Sequence, residues 1–267
     1  MKLAFIGDII GRPGRFMVSQ HLPDLIKSEE LDIVIANYEN ASHGFGLTES
    51  NAKSLFSSGI DLMTGGNHTW DKKDIIPLLE VYPLIRPANY PNGVAGKGWS
   101  IVEKNGKKVA IINLLGHYGM PMVDNPFTKA EEVLLEVKKE NPDYIMVDFH
   151  SETTAEKRTM FHLLKGRVDA VFGTHTHIAT DDYQIHDNSF YITDVGLTGC
   201  FDNIIGMGTK TPLEKALNGF SGHHHIPKPN ECYKILQLVV ADLENRTGYT
   251  LKVFENGTIS KREIFKL

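Results

Sequence analysis

The sequence predicts an α/β chain built on a parallel sheet, and three features of its 267 residues predict it. Short apolar runs alternate with amphipathic stretches through the first half, as βαβ units require. Polar groups stand just past the ends of such runs, at Asp8, Glu39-Asn40, Asn67-His68, His150 and His175-Thr176-His177. Asn105-Gly106 and Asn256-Gly257 separate paired apolar segments, so hairpins are added to the parallel frame.

Taken in order, Lys2 to Ile6 is a buried-strand candidate, and Pro13 to Ser28 reads as a helix whose first turn tolerates Pro13. Asp32 to Ala36 is the next strand. Thr48 to Ser57 reads as a helix with Thr48 as its N-cap, Ile60 to Thr64 as a third strand, and Asp71 to Glu80 as a helix. Ser100 to Lys104 and Lys107 to Asn113 flank Asn105-Gly106, a pair that accepts the positive φ of a tight turn. The βα pattern resumes with a helix over Thr128 to Glu140, a strand over Tyr144 to Asp148, a helix over Thr153 to Leu164 and a strand over Asp169 to Phe172.

From Asp181 onward the pattern is mostly β. Tyr183 to His186 and Ser189 to Thr193 make one hairpin; Tyr249 to Phe254 and Thr258 to Phe265 make another. Between them Tyr233 to Leu243 alternates as a strand with one buried face. Residues 202–230, rich in Gly, Pro and His, read as a long loop with one helix at Pro212 to Leu217. With no repeat and no interdomain linker, a single domain over 1–267 is expected.

Composition narrows the partners. A net charge of −5 leaves no basic footprint for duplex DNA, while a small anionic substrate stays compatible if metal charge dominates locally. Cys200 and Cys232 are too few for a disulfide framework and read as two thiols of a reducing compartment. The N-terminal apolar run is broken by Asp8 and lacks a signal-peptide cleavage site, and no stretch approaches the roughly 20 apolar residues of a membrane span. A cytoplasmic protein is expected.

Each polar group has an ordinary structural use when taken alone. Asp8 and Asn67 can cap helices, Glu39-Asn40 can solvate a loop, and a lone His150 is more often structural than a ligand. Their conjunction is what points to chemistry, because the carboxyl ends of parallel strands share one edge and ligands bind there. Three His, two carboxylates and two Asn carbonyls are mixed N/O donors without thiolate, suited to Fe, Mn, Zn or Mg. Seven groups exceed what one ion needs, so two ions about 3.5–4 Å apart are expected.

Gly7-Asp8, Glu39-Asn40, Gly66-Asn67-His68, His150 and Gly173-Thr174-His175-Thr176-His177 resemble the ordered blocks of the calcineurin-like metallophosphoesterases. That superfamily commonly has a His two residues after the first Asp and an Asp as bridging ligand; here Ile10 and Glu39 stand instead. Those departures, with Gly7 to Arg15 and Thr193 to Gly199, resemble the YmdB-like subfamily of bacterial 2′,3′-cyclic nucleotide phosphodiesterases.

The resemblance implies a four-layer αββα sandwich with its active site at the C-terminal ends of the strands. It implies Glu39 bridging two ions, with Asp8, Asn40 and His177 completing one site and Asn67, His150 and His175 the other. Iron is the implied native pair and manganese a functional substitute. The implied reaction is attack of a bridging hydroxide on a phosphodiester such as a 2′,3′-cyclic NMP, or 3′,5′-cAMP, with His68 as general acid. A supporting role for His68, holding Asn67, stays open.

Three features are weaker: His223-His224-His225 reads as a solvated loop, Arg12 and Arg15 as helix surface or phosphate contacts, and Phe45 as packing or a base-stacking ring. A phosphomonoesterase on the same centre, or a metal-containing regulatory protein of RNA metabolism, are the alternatives. A homo-oligomer is compatible with such a fold.

Overall fold

Alternation in the first strand sets the layering. Leu3 and Phe5 point one way, Ala4 and Ile6 the other, and all four are fully buried, so this strand is covered on both faces. The structure, a computed structural model, describes residues 1–219, 222–223 and 225–266, the side chain of Phe265 excepted.

In chain order β1 (Lys2–Ile6) is followed by β2 (Asp8–Ile9), α1 (Gly11–Ser28), β3 (Ile33–Asn37), α2 (Glu49–Ser57), β4 (Leu62–Thr64) and α3 (Ile75–Val81). Next come β5 (Trp99–Lys104), β6 (Lys107–Leu115), α4 (Pro126–Lys139), β7 (Tyr144–His150), α5 (Thr154–Leu164) and β8 (Ala170–Thr174). The remainder is β9 (Gln184–His186), β10 (Ser189–Ile192), β11 (Leu197–Cys200), α6 (Lys210–Asn218), β12 (Lys234–Asp242), β13 (Thr247–Phe254), β14 (Ile259–Glu263) and β15 (Phe265–Lys266).

These strands form two sheets. One runs β14-β13-β12-β1-β3-β4, with β11 and β2 beside it; the other runs β15-β9-β10-β8-β7-β6-β5. β1, β3 and β4 are parallel, as are β6, β7, β8 and β10, and antiparallel strands fill the margins. One core lies between the first sheet and its helices (Ala4, Val34, Met17, Leu55), one between the sheets (Phe5, Ile35, Ile111, Phe172), and one between the second sheet and its helices (Ile112, Val147, Leu134, Phe161). This is the four-layer αββα sandwich of the calcineurin-like fold.

The structure departs from the sequence reading in several places. β12 is buried on both faces, because its polar residues find partners inside; Gln237 Nε2 donates to Leu197 O at 3.1 Å. α1 starts two residues earlier than expected, at Gly11, and α3 only at Ile75. Thr48 occupies the N-cap position of α2, yet its hydroxyl does not cap the helix; its own N–H is taken by Ser42 Oγ at 2.9 Å.

The reading of Cys200 and Cys232 as thiols is corrected: they form a disulfide, with Cα atoms 5.6 Å apart. Cys200 pairs with Lys234 across β11 and β12, which brings it beside Cys232. The inference of a reducing compartment loses its ground. Among the described residues no helix is long and apolar enough to cross a membrane. Of the His223–His225 run, His224 lies outside the described residues, and His223 and His225 are exposed.

Candidate metal centre

All seven residues singled out in the sequence meet, not at the edge of one sheet as expected, but where strand ends of the two sheets come together: Asp8, Glu39, Asn40 and Asn67 from the first, His150, His175 and His177 from the second. Asp8 opens β2 directly past Gly7, where a Cβ would lie 1.8 Å from Gly196 O. Glu39 and Asn40 follow β3, and the turn is held by Asn37 Oδ1, which accepts the Glu39 N–H at 2.9 Å. Asn67 and His68 follow β4 through Gly66, where a Cβ would stand 2.3 Å from Glu39 Oε2 and 2.5 Å from His150 Nε2. Only glycine lets those two side chains approach over this turn. His150 ends β7. His175 and His177 follow β8 with φ of 99° and 64°, a left-handed geometry that costs on the order of 1–3 kcal/mol at each non-glycine residue.

Side-chain donor atoms of Glu39, His150 and His175 lie within 4.8 Å of one another, and so do those of Asp8, Glu39 and His177. Glu39 belongs to both groups. His150 Nε2 is 3.0 Å from Asn67 Oδ1, 3.1 Å from His175 Nδ1 and 3.3 Å from Glu39 Oε2. On the other side His177 Nε2 is 3.2 Å from Asn40 Oδ1. Asp8 Oδ1 is buried without a hydrogen-bond partner among the described residues, an arrangement that carries a penalty unless a cation supplies the missing contact. Each of the two groups could hold a cation, and Glu39 is common to both.

Without a cation, protons stand in for it at the buried groups. Burial raises the Asp8 carboxyl, with His177 and His150 partly opposing it. Burial would also raise Glu39, but the facing His150 imidazole and the His68 N–H hold it well below the usual carboxylate range. Burial depresses His150, yet Glu39 outweighs it and lifts the imidazole to about 9. Burial, with His150 beside it, lowers His175 to about 3, so that ring is neutral and can offer a lone pair.

Comparison with known proteins follows the same line. Residues 4–255 match the family described as YmdB-like protein. The chain belongs to the YmdB-like family. Over 255 residues it is 43% identical to the 2′,3′-cyclic-nucleotide 2′-phosphodiesterase of Bacillus subtilis, and the match covers 95% of each chain. A crystal structure of a phosphatase from Mycoplasma pneumoniae superposes with a TM-score of 0.84 at 32% identity, covering 99% of this chain and 92% of that one. One of a hypothetical protein from Thermus thermophilus gives 0.85 at 36% identity, covering 98% of each. The YmdB-like chain is thus an enzyme of the phosphoesterase class.

In this YmdB-like enzyme the donors are oriented by residues that sequence reasoning missed. His177 Nδ1 donates to Ile205 O at 2.9 Å, which leaves Nε2 facing Asn40. His175 Nε2 meets Glu152 Oε2 at 2.9 Å, which turns Nδ1 inward. Thr176, between the two histidines, is held through its N–H and hydroxyl by Asp194 Oδ2 at 3.0 and 2.8 Å. An acid two places from His150, and Asp194 in a segment already noted for its resemblance, were the only signals available.

His68 stands at the rim, its side chain 30% exposed, with Nδ1 2.8 Å from Asp71 Oδ2 and its ring edge-on to Phe45 at 4.8 Å. The Arg15 guanidinium donates to Ala41 O, and Arg12 is exposed. The donors open into a cavity of about 430 Å³ whose wall includes Phe45, His68, Ile205 and Met207, within the ~300–1,000 Å³ of small-ligand sites.

Proposed function

We propose that this enzyme is a dinuclear-metal phosphodiesterase acting on cyclic nucleotides, 2′,3′-cyclic NMPs foremost and 3′,5′-cAMP as a second substrate. The observation that carries the reading is Glu39, common to two groups of donors each within 4.8 Å. The activity named for the Bacillus subtilis relative supports the substrate class. Asp8, Asn40 and His177 would hold one ion, Asn67, His150 and His175 the other, and Glu39 both. Iron is the proposed native pair, with manganese as substitute. When bound, the ions neutralise charge on the phosphoryl oxygens and acidify water for attack on phosphorus.

The chain's own residues do the rest. His68 delivers a proton from Nε2 to the departing ribose oxygen, while Asp71 at Nδ1 orients the ring. Asn40 and Asn67 add neutral oxygens and no further negative charge that would repel the diester. A single domain over 1–267 is proposed, since β12 of the C-terminal region pairs with β1 of the first sheet and β15 with β9 of the second.

The test is hydrolysis of bis-p-nitrophenyl phosphate and 2′,3′-cAMP by metal-stripped protein with Fe²⁺ or Mn²⁺ restored, beside Glu39→Gln. Metal-dependent diester cleavage, lost in the variant, is expected. Cleavage of open-chain nucleotide monophosphates but not of cyclic ones would make the enzyme a phosphomonoesterase. No turnover by folded, metal-loaded protein would sink the catalytic reading.

A further inference from the structure

We infer that Phe45, Ile205 and Met207 form a seat for the nucleobase of the substrate, one that reads the flat face of a base and not its hydrogen-bonding edge. The inference rests on the reading of the donor cluster as the phosphate site. All three side chains line the same cavity as Glu39, Asn40, His175 and His177. The two segments that carry them lie together: a Cβ on Gly44, next to Phe45, would lie 3.3 Å from Met207 Cε, and Ile204 and Met207 exchange backbone hydrogen bonds of 3.2 and 2.9 Å around Ile205.

The wall is built to stay in place. Ile205 is 44% exposed and holds φ at 47°, a geometry that β-branched residues rarely adopt. Its turn is fastened at both ends of the strain, by Asn203 Oδ1 accepting the Gly206 N–H at 3.1 Å and by the Ile205 carbonyl receiving His177 Nδ1 at 2.9 Å. The same residue therefore orients a donor with its backbone and presents an apolar side chain to the cavity. Phe45 lies half-buried and packs on His68, so a base against this wall would leave the sugar between the donors and the acid.

None of the three side chains carries a hydrogen-bonding group that could select one base. Stacking tolerates every base because each has a π-face. The seat is thus expected to separate nucleotides from base-free phosphate esters while discriminating little between adenine and cytosine.

Isothermal titration of Mn²⁺-loaded protein with adenosine 3′-monophosphate, cytidine 3′-monophosphate and glycerol 2-phosphate tests this. Both nucleotides should bind about tenfold or more tighter than the base-free ester. That ratio should fall towards one in Phe45→Ala and in Ile205→Gly. Because the readout is a ratio, general weakening of the phosphate site cancels. Ile205→Gly keeps the carbonyl to His177 and relieves the positive φ, so its melting temperature should hold.

Equal binding of the three ligands by the unaltered protein would overturn the inference, as would a ratio unchanged in both variants. A preference of more than tenfold between the two bases would overturn the face-reading part. Base-dependent binding without turnover of any cyclic diester would sink the phosphodiesterase reading and leave the seat standing. Cyclic-diester turnover without base dependence would do the reverse.

Discussion

Asp148 lies one hydroxyl away from His150: Thr174 Oγ1 donates to Asp148 Oδ1 at 2.7 Å and stands 2.8 Å from His150 Nδ1. All three residues are fully buried. With the Thr174 proton committed to Asp148, the hydroxyl oxygen accepts from Nδ1–H, and Nε2 is left to face Glu39 and Asn67. Such partners behind a ligating imidazole fix its tautomer and orientation.

Thr174→Val keeps the shape of the side chain and removes the relay. Affinity for Mn²⁺ is expected to fall ~10–100-fold, measured by metal titration of stripped protein. Thr174→Ser should restore most of it. An unchanged affinity in Thr174→Val would mean that packing alone orients His150.

The lifted His150 has a consequence for stability. In metal-free protein burial opposes its charge but Glu39 prevails, so the folded-state value is about 9 against 6.5 for the unreacted group. Between those pH values the folded chain keeps a proton that the unfolded chain has lost. The stabilisation is therefore complete below 6.5 and disappears as pH rises through 9. On the acid side Asp148, raised by burial to about 6, and His175, lowered by burial and by His150 to about 3, act in opposite directions. The alkaline limb is the one to read. Melting temperatures of metal-stripped protein should decline over that limb, and added metal should flatten the decline because the ion replaces the proton. A level alkaline limb without metal would contradict the Glu39–His150 pairing.

The ends of the long strands were legible in the sequence because an apolar run followed by Asp8, Glu39-Asn40, Asn67-His68, His150 or His175 is a local pattern. The Asn105-Gly106 turn was legible for the same reason, and both residues hold positive φ, 54° and 72°. What stayed hidden depends on contacts distant in sequence. β2 and β11 are two and four residues long, too short for any periodicity, and they meet only because Gly7 lets Gly196 approach. The Cys200–Cys232 bond follows from the pairing of β11 with β12. Ile205 serves His177 through a carbonyl, and no side-chain pattern advertises a carbonyl. Lys157 sits in α5 among charged neighbours and reads as a surface residue, yet it is 1% exposed.

That buried lysine carries the last expectation. Lys157 Nζ is 2.8 Å from Asp194 Oδ2, and Asp194 also holds Thr176 and, through Oδ1, the Gly196 N–H at 2.8 Å. The pair thus lies directly beneath the His175–His177 turn, and its strained backbone depends on it. Removing one member strands the other charge in the interior, at a cost of ~3–5 kcal/mol. Lys157→Met should lose stability of that order in denaturant unfolding. Asp194→Asn should lose a similar amount and weaken metal binding as well, because Thr176 is released. The double variant buries neither charge alone, so its loss should fall well short of the sum of the singles. Additive losses would show that the two side chains stabilise the turn independently.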